Sequence, residues 1–306
     1  MLTVVMPTRN GAEWIGQCLE AFSRLQSPNG NYKLIVVDNG SEDSTGAILQ
    51  NFSDRLPLQL LSQPDPGKNK ALNAAIPHLQ GDLIVFADDD IVPAPDWLVN
   101  MRALAARHPD CAMFGGRVTP LWPSPPAEAI LKGIPLTAAF ALHPQSLQDG
   151  LIGAQFIWGL NMAIRREIFD KGYRFNETVG PKPGNYIMGG EFEFTRRLAD
   201  DGYQAAFANN VLVQHIIRPR QLTFQWLMLR AFRHGRQEYR RLRPAEKQDW
   251  GVIMGYPRWQ LRKLLQAYLS NMKAQLMGDD VQKYRCGWKL ATLRGWLFQA
   301  RHGDAA

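Results

Sequence analysis

The 306-residue sequence predicts an α/β fold: a mixed, mostly parallel sheet flanked by helices, followed by a C-terminal helical extension. Three observations carry that expectation. Short, continuously apolar runs alternate with segments of helical spacing through residues 1–217, as in a sheet covered on both faces. Polar clusters stand where those runs end, which is where ligands bind in open α/β sheets. The charge is also divided. Residues 1–217 hold 17 Lys and Arg against 22 Asp and Glu, a net of −5, whereas residues 218–306 hold 18 against 6, a net of +12. The overall +7 is therefore an average of two unlike segments, and the expected organisation is an α/β domain over 1–217 and a basic amphipathic extension over 218–306.

The elements follow in order. Leu2–Met6 is a β-rich run expected to end at Pro7, and Ala12–Leu25 repeats apolar residues at helical spacing (Trp14, Ile15, Cys18, Leu19, Phe22, Leu25). Asn10 with Glu13 three residues later resembles a capping pair for that helix. Lys33–Val37 reads as a second strand, with a polar turn over Asp38–Thr45 feeding a short helix. Leu58–Leu61 reads as a third strand and Asn69–Leu79 as a helix. Asp82–Ala87 is a fourth strand that stops at three consecutive aspartates. A helix from Trp97 to Arg107, a strand near Ala112–Val118 and a proline-rich insertion over 119–150 come next. Phe156–Ile164 reads as a strand and Arg165 opens a short helix. Residues 176–190 hold four glycines and two prolines, the composition of a mobile loop. Glu191–Asp201 is then a helix and Gln204–His215 a strand.

Beyond Pro219 the pattern changes. Leu222–Arg233, Trp259–Met277 and Trp288–Arg301 mix apolar residues with Arg and Lys at helical spacing, and five of the nine tryptophans lie there. Basic, Trp-bearing amphipathic helices suit an anionic membrane interface; the plainer reading is that they pack on the sheet. No window is apolar enough to span a bilayer, and the opening MLTVVMPTRN lacks the basic and apolar regions of a signal peptide. Three scattered cysteines exclude a disulfide scaffold and a CxxC metal knuckle, and suit a reducing compartment. The expected location is cytoplasmic, peripheral on the inner face of the cell membrane. The cations alternate with apolar residues and form no aromatic-lined groove, so nucleic acid is not the expected partner.

Four clusters close the strands: Pro7-Thr8-Arg9-Asn10, Asp38-Asn39-Gly40-Ser41, Asp88-Asp89-Asp90 and Gly189-Gly190-Glu191-Phe192-Glu193. A triple aspartate alone is as readily a solvated turn. Carboxylates gathered at one sheet edge, however, destabilise each other unless a cation or donor intervenes, and hard divalent cations take carboxylates together with phosphate oxygens.

The ordered set of these clusters, with Asp43, Gly67-Lys68 through Ala71-Leu72-Asn73, and Gly159-Leu160-Asn161, resembles the family 2 glycosyltransferases of the GT-A (Rossmann-like) fold over roughly residues 1–240. The resemblance implies a metal-dependent, inverting transfer of a sugar from a nucleoside-diphosphate donor, UDP-sugar favoured, to a saccharide or lipid-linked acceptor. By that resemblance Pro7, Thr8, Arg9 and Asn10 meet the nucleoside, and Asp38 with Asn39 meets the base. Gly67, Lys68 and Lys70 serve the diphosphate, while Asp88 and Asp89 lie on the donor. Asp88, Asp90 and His215 are implied ligands for Mn²⁺ or Mg²⁺. Glu191 is the implied base, with Glu193 the alternative, because the family's usual acid pair is shifted here and Gly190 stands where a Glu is common. Trp158, Asn161 and Glu193 fall on the acceptor side.

Two other readings compete. A nucleotidyltransferase would want a Gly-rich, Arg-containing phosphate loop after the first strand, and PTRNGAEW lacks it. An inactive scaffold should have lost its carboxylates, whereas Asp88, Asp90 and Glu191 are present.

Overall fold

The computed structural model describes residues 1–28, 31–182, 185–186, 188–242, 252–253 and 256–303. The chain runs β1 (Leu2–Thr8), α1 (Ile15–Phe22), β2 (Tyr32–Asp38), α2 (Thr45–Asn51), β3 (Leu58–Ser62), α3 (Lys68–Ala75), β4 (Leu83–Phe86), β5 (Ile91–Pro93), α4 (Trp97–Arg107) and β6 (Cys111–Leu121). Two short helices follow, α5 (Glu128–Gly133) and α6 (Leu136–Phe140), then β7 (Gly150–Ile152), β8 (Met162–Arg165) and α7 (Arg166–Asp170). β9 (Pro181–Lys182), β10 (Asn185–Tyr186), α8 (Gly190–Asp200) and β11 (Gln204–Ile216) come next. The last elements are α9 (Phe224–Arg241), β12 (Val252–Ile253), β13 (Tyr256–Pro257), α10 (Arg258–Met277) and α11 (Asp280–His302).

The chain divides into two units: Met1–Leu121, Leu142–Pro183 and Gly189–Ile216 form one, and Trp122–Ala141, Gly184–Met188 and Ile217–Ala306 the other. The first is built on a mixed sheet of order β3-β2-β1-β4-β8-β6-β11-β5, with β7 on β11. Its β3-β2-β1-β4 half is parallel. β8 runs antiparallel between β4 and β6, and β6 and β11 are again parallel.

The apolar runs form the inner strands because both of their faces are covered. β1 is buried along its whole length, and Val5, Ile35, Val37, Ile84 and Ile164 join one core with Phe169, Phe175 and Phe194. The rings of Phe175 and Phe194 stack at 4.3 Å. Burying a ring of this kind stabilises the fold by roughly 2 kcal/mol, and here it also anchors α8 through Phe194.

Several sequence expectations need correction. β1 continues through Pro7 to Thr8, because its pairing with β4 has already ended at Val5–Phe86 and the proline lacks no ladder partner there. α1 is shorter than Ala12–Leu25 and no side chain caps it. Asn10 instead adopts φ 52, and its Oδ1 accepts from the Glu42 N–H at 2.8 Å. The expected strand 156–164 is extended only over β8; two 3₁₀ turns, Ala154–Phe156 and Gly159–Asn161, precede it.

The second unit gathers part of the 119–150 segment with the C-terminal helices. α9 and α11 cross closely at two glycines: a Cβ on Gly235 would meet the Thr292 carbonyl, and one on Gly295 the Phe232 carbonyl. Inside that contact the buried Arg236 Nε donates to Gln299 Oε1 at 2.8 Å. α5 joins through Gly133, whose missing Cβ leaves room for Tyr284, and Arg230 donates to the carbonyls of α6. Among the described residues no helix is long and apolar enough to cross a membrane.

Candidate active site

The sheet changes direction between β1 and β4: from β1 the chain steps to β2 and β3 on one side, with β4 on the other. Ligand crevices open at the carboxyl ends of strands at such a switch. Thr8 closes β1 there, and its hydroxyl donates to Asp89 Oδ2 at 2.5 Å. Beyond β4 the chain turns through the three aspartates into β5. That three-residue strand pairs antiparallel with β11, setting Ile91 opposite His215. The Ile216 N–H donates to the Asp90 carbonyl at 2.8 Å, and His215 Nε2 lies 3.4 Å from Asp90 Oδ2. Residues 125 positions apart in sequence thus meet at one corner.

Lys68 sits at the start of α3 and reaches across this crevice. Its Nζ lies 2.6 Å from Asp88 Oδ1 and 2.5 Å from Glu191 Oε1. Glu191 is in the first turn of α8, three residues before Phe194, so the packing that holds Phe194 also aims Glu191. Burial alone would push the Lys68 ammonium down, but the two carboxylates hold it well above its ordinary range. Burial raises Asp88; Lys68 opposes that, while Asp90 and Glu191 add to it. Burial and the neighbouring Asp90 push Asp89 up to about 7, against the Thr8 hydrogen bond.

The remaining donor-side residues line adjacent loops. Arg9 pairs with the exposed Glu42 at 3.7 Å, and the Asn10 N–H donates to Ser41 Oγ. Asp38 Oδ1 accepts from the Ser41 N–H at 3.0 Å, shaping its own turn. Asn39 is buried, and its amide is committed to the 63–67 loop: Nδ2 donates to the Gln63 and Asp65 carbonyls and Oδ1 accepts from the Gly67 N–H. That bond fixes Gly67, at φ 148, as the entry to α3. Asn39 therefore shapes the loop, with no amide hydrogen left for a base. Lys70 pairs with exposed Asp65 at 3.2 Å and does not join the Lys68 cluster.

On the acceptor side the outcome is divided. Trp158 is half-buried, and its indole lies flat on His143, with ring centroids 3.8 Å apart and planes 8° from parallel. Asn161 is fully buried. Its Oδ1 accepts from Trp97 Nε1, and its Nδ2 donates to the Arg117 and Val211 carbonyls. Both hydrogens of that amide are used inside the protein, bracing neighbouring strands. Glu193 pairs with Arg197 at 3.4 Å.

The glycines around Glu191 are spacers. A Cβ on Gly159 would lie 2.6 Å from Glu191 Cγ, and one on Gly190 would lie 2.6 Å from Asn69 Nδ2. Asn69, buried and donating to the Asn176 and Val179 carbonyls, occupies the space that a side chain at position 190 would need. Neither Asn69 nor His143 was singled out by spacing or motif, and the Thr8–Asp89 bond has no sequence signature.

Among the described residues no three His, Cys, Asp or Glu side chains are already gathered as a metal site. Asp90 and His215 are two such groups at one corner, and Asp88 faces Lys68. An oxygen-plus-imidazole pair with further carboxylates nearby fits a divalent cation that would complete its shell with phosphate oxygens.

The model of the family described as glycosyl transferase family 2 matches residues 3–173, more than half of the chain. The chain belongs to that family. The matched segment of this glycosyltransferase carries Thr8, Asp38, Lys68 and Asp88–Asp90 and ends before Glu191 and His215. Glycosyltransferase AglE of Haloferax volcanii is 28% identical over 239 residues, spanning 77% of this chain and 72% of its own. Mannosyltransferase PcManGT from Pyrobaculum calidifontis, solved in complex with GDP-Man and Mn²⁺, superposes with a TM-score of 0.61 at 20% identity. That match covers 97% of this chain and 87% of the other. Staphylococcus aureus TarS, solved with UDP-GlcNAc, matches with a TM-score of 0.56 at 13% identity, over 98% and 92% of the two chains. The glycosyltransferase thus has the GT-A fold that its sequence predicts.

Proposed function

We propose that this glycosyltransferase moves a sugar from a nucleoside diphosphate, UDP favoured, to a hydroxyl of a saccharide or lipid-linked acceptor, with inversion at the anomeric carbon. One observation carries the reading: Lys68 Nζ stands between Asp88 and Glu191, 2.6 and 2.5 Å away. A carboxylate of the donor-side cluster and a candidate base therefore share the Lys68 ammonium. That juxtaposition is what a direct displacement needs.

Glu191 takes the proton of the acceptor hydroxyl as that oxygen attacks the anomeric carbon opposite the diphosphate. The bond to the diphosphate breaks as the new glycosidic bond forms, so one displacement inverts the configuration. Lys68 leaves Glu191 for the diphosphate when donor arrives, which frees the base and places positive charge on the departing group. Thr8 holds Asp89 in place beneath the donor. Asp90 and His215, with Asp88 beside them, would hold Mn²⁺ or Mg²⁺, which would supply charge stabilisation at the same diphosphate. Glu191 is favoured over Glu193 because Glu193 is turned to Arg197. Trp158 offers a flat apolar surface next to Gly159, which itself abuts Glu191.

Relatives support the substrate classes: PcManGT is solved with GDP-Man and Mn²⁺ and TarS with UDP-GlcNAc. The curated TarS name is a poly(ribitol-phosphate) β-N-acetylglucosaminyltransferase, consistent with surface polysaccharide or glycolipid synthesis. Residues 1–217 are read as the catalytic part and 218–306 as the basic part that meets an anionic membrane from the cytoplasmic side. Family membership argues against the nucleotidyltransferase alternative, and the presence of Asp88, Asp90 and Glu191 argues against an inactive scaffold.

A thermal-shift panel of UDP-, GDP- and dTDP-sugars with and without Mn²⁺ tests the donor class. Stabilisation by one nucleotide that depends on metal supports the reading. Equal shifts with and without metal would remove the cation from it.

A further inference from the structure

The charge asymmetry of the sequence marks the whole C-terminal segment as basic, but the structure singles out one helix within it. α9 and α11 spend their apolar faces on each other, through the glycine crossing at Gly235 and Gly295 and the buried Arg236–Gln299 bond. α10 turns Gln260, Ala267 and Ala274 inward. Its outward side is apolar. Leu265, Leu269, Met272 and Leu276 recur at helical spacing and are 62%, 57%, 48% and 85% exposed. A surface helix ordinarily turns its polar face to solvent; α10 turns an apolar stripe there.

The charges on this helix have one sign. Arg258, Arg262, Lys263 and Lys273 are its only ionisable side chains of formal charge, and it contains no Asp or Glu. On a helical projection Arg258 continues the exposed leucine stripe toward the N-terminus, and Arg262 and Lys273 lie along one edge of it. Asp279 and Asp280 stand beyond the C-terminal end, where Asp279 caps α11 by accepting from the Gln282 N–H.

We propose that the outward face of α10 lies in the interface of a bilayer rich in anionic lipid. Leu265, Leu269, Met272 and Leu276 enter the acyl boundary while Arg258, Arg262 and Lys273 meet phosphate headgroups. This rests on, and narrows, the membrane reading made above for residues 218–306. A second copy of the chain is the less suitable occupant, because two such faces in a two-fold contact would oppose cation to cation with no acid on either helix. An anionic surface complements the stripe, and the long cationic stems cover its apolar rim.

The test uses the full chain and cosedimentation with vesicles of phosphatidylcholine alone or mixed with phosphatidylglycerol. The proposal expects binding to the mixed vesicles, weakened by salt, and little binding to phosphatidylcholine alone. The triple variant L265E/L269E/L276E should bind at least about tenfold more weakly, and R262E/K273E should lose most of the anionic preference. All five positions face solvent, so circular dichroism and thermal melting should match the parent chain. Undiminished binding by the triple variant, with the parent bound, would overturn the assignment to α10 and leave the wider membrane reading standing. No binding by the parent would overturn both. A dimer in sedimentation velocity that the triple variant abolishes would overturn the bilayer in favour of a second copy.

Discussion

Lys68 Nζ and Glu191 Oε1 lie 2.5 Å apart, so the side chain proposed to receive the acceptor proton is held by the side chain proposed to meet the diphosphate. Donor binding and readiness of the base are then one event. Lys68→Met should lower kcat/KM by about 100-fold, the size expected for losing one charge donor at a departing group. It should also weaken donor binding measured by calorimetry. Unchanged donor affinity in that variant would separate Lys68 from the diphosphate.

Asp90 and His215, 3.4 Å apart, are the proposed holders of a divalent cation. Chelation should abolish transfer, and added Mn²⁺ or Mg²⁺ should restore it. His215→Ala should raise the metal concentration for half-maximal activity by about tenfold to a hundredfold, the usual penalty for losing a supporting metal contact. A metal titration curve identical to that of the parent would remove His215 from the site.

Gly159 leaves space for Glu191, since a Cβ there would come within 2.6 Å of Glu191 Cγ. The neighbour is a flexible side chain, so Gly159→Ala should fold normally and displace the carboxylate. A displacement of about 1 Å at a reacting group can cost on the order of 100-fold. The expected result is a drop in kcat of about that size with little change in melting temperature.

His143 makes stability depend on pH. Burial lowers its pKa to about 4, with Arg117 adding to the effect. Val118 N–H donates to its Nδ1, and its Nε2 faces the Phe156 carbonyl, a pattern that requires the neutral ring. The unfolded chain takes up this proton near pH 6.5, whereas the folded chain resists until about pH 4. Stability is therefore full above pH 6.5 and falls as pH drops through that window, by about 3 kcal/mol for this group. Urea unfolding of the parent and of His143→Phe from pH 7 to 4.5 checks it. The variant should be less stable at pH 7 but should show a shallower decline.

The parallel half of the fold was legible because its strands are buried on both faces and read as unbroken apolar runs. α4 matches its expected limits, Trp97–Arg107. β5 was not legible: three residues carry no periodicity, and yet this strand sets His215 beside Asp90. The Phe156–Ile164 run misled because Gly159-Leu160-Asn161 is apolar enough for a strand but turns so that Asn161 can brace Trp97 and two carbonyls. At the site, the acids could be read as a set because their order along the chain is distinctive. Their partners could not. Thr8 with Asp89, Asn69 against Gly190 and His143 under Trp158 are contacts made by the tertiary fold, with no spacing to announce them.

Glu191 is proposed as the base of an inverting transfer. The most direct measurement compares Glu191→Gln with Glu193→Gln for transfer, alongside calorimetric donor binding to both. Glu191→Gln should lose transfer by at least about 1000-fold while still binding donor, and Glu193→Gln should keep most of its activity. Full transfer by Glu191→Gln, or loss confined to Glu193→Gln, would contradict that proposal.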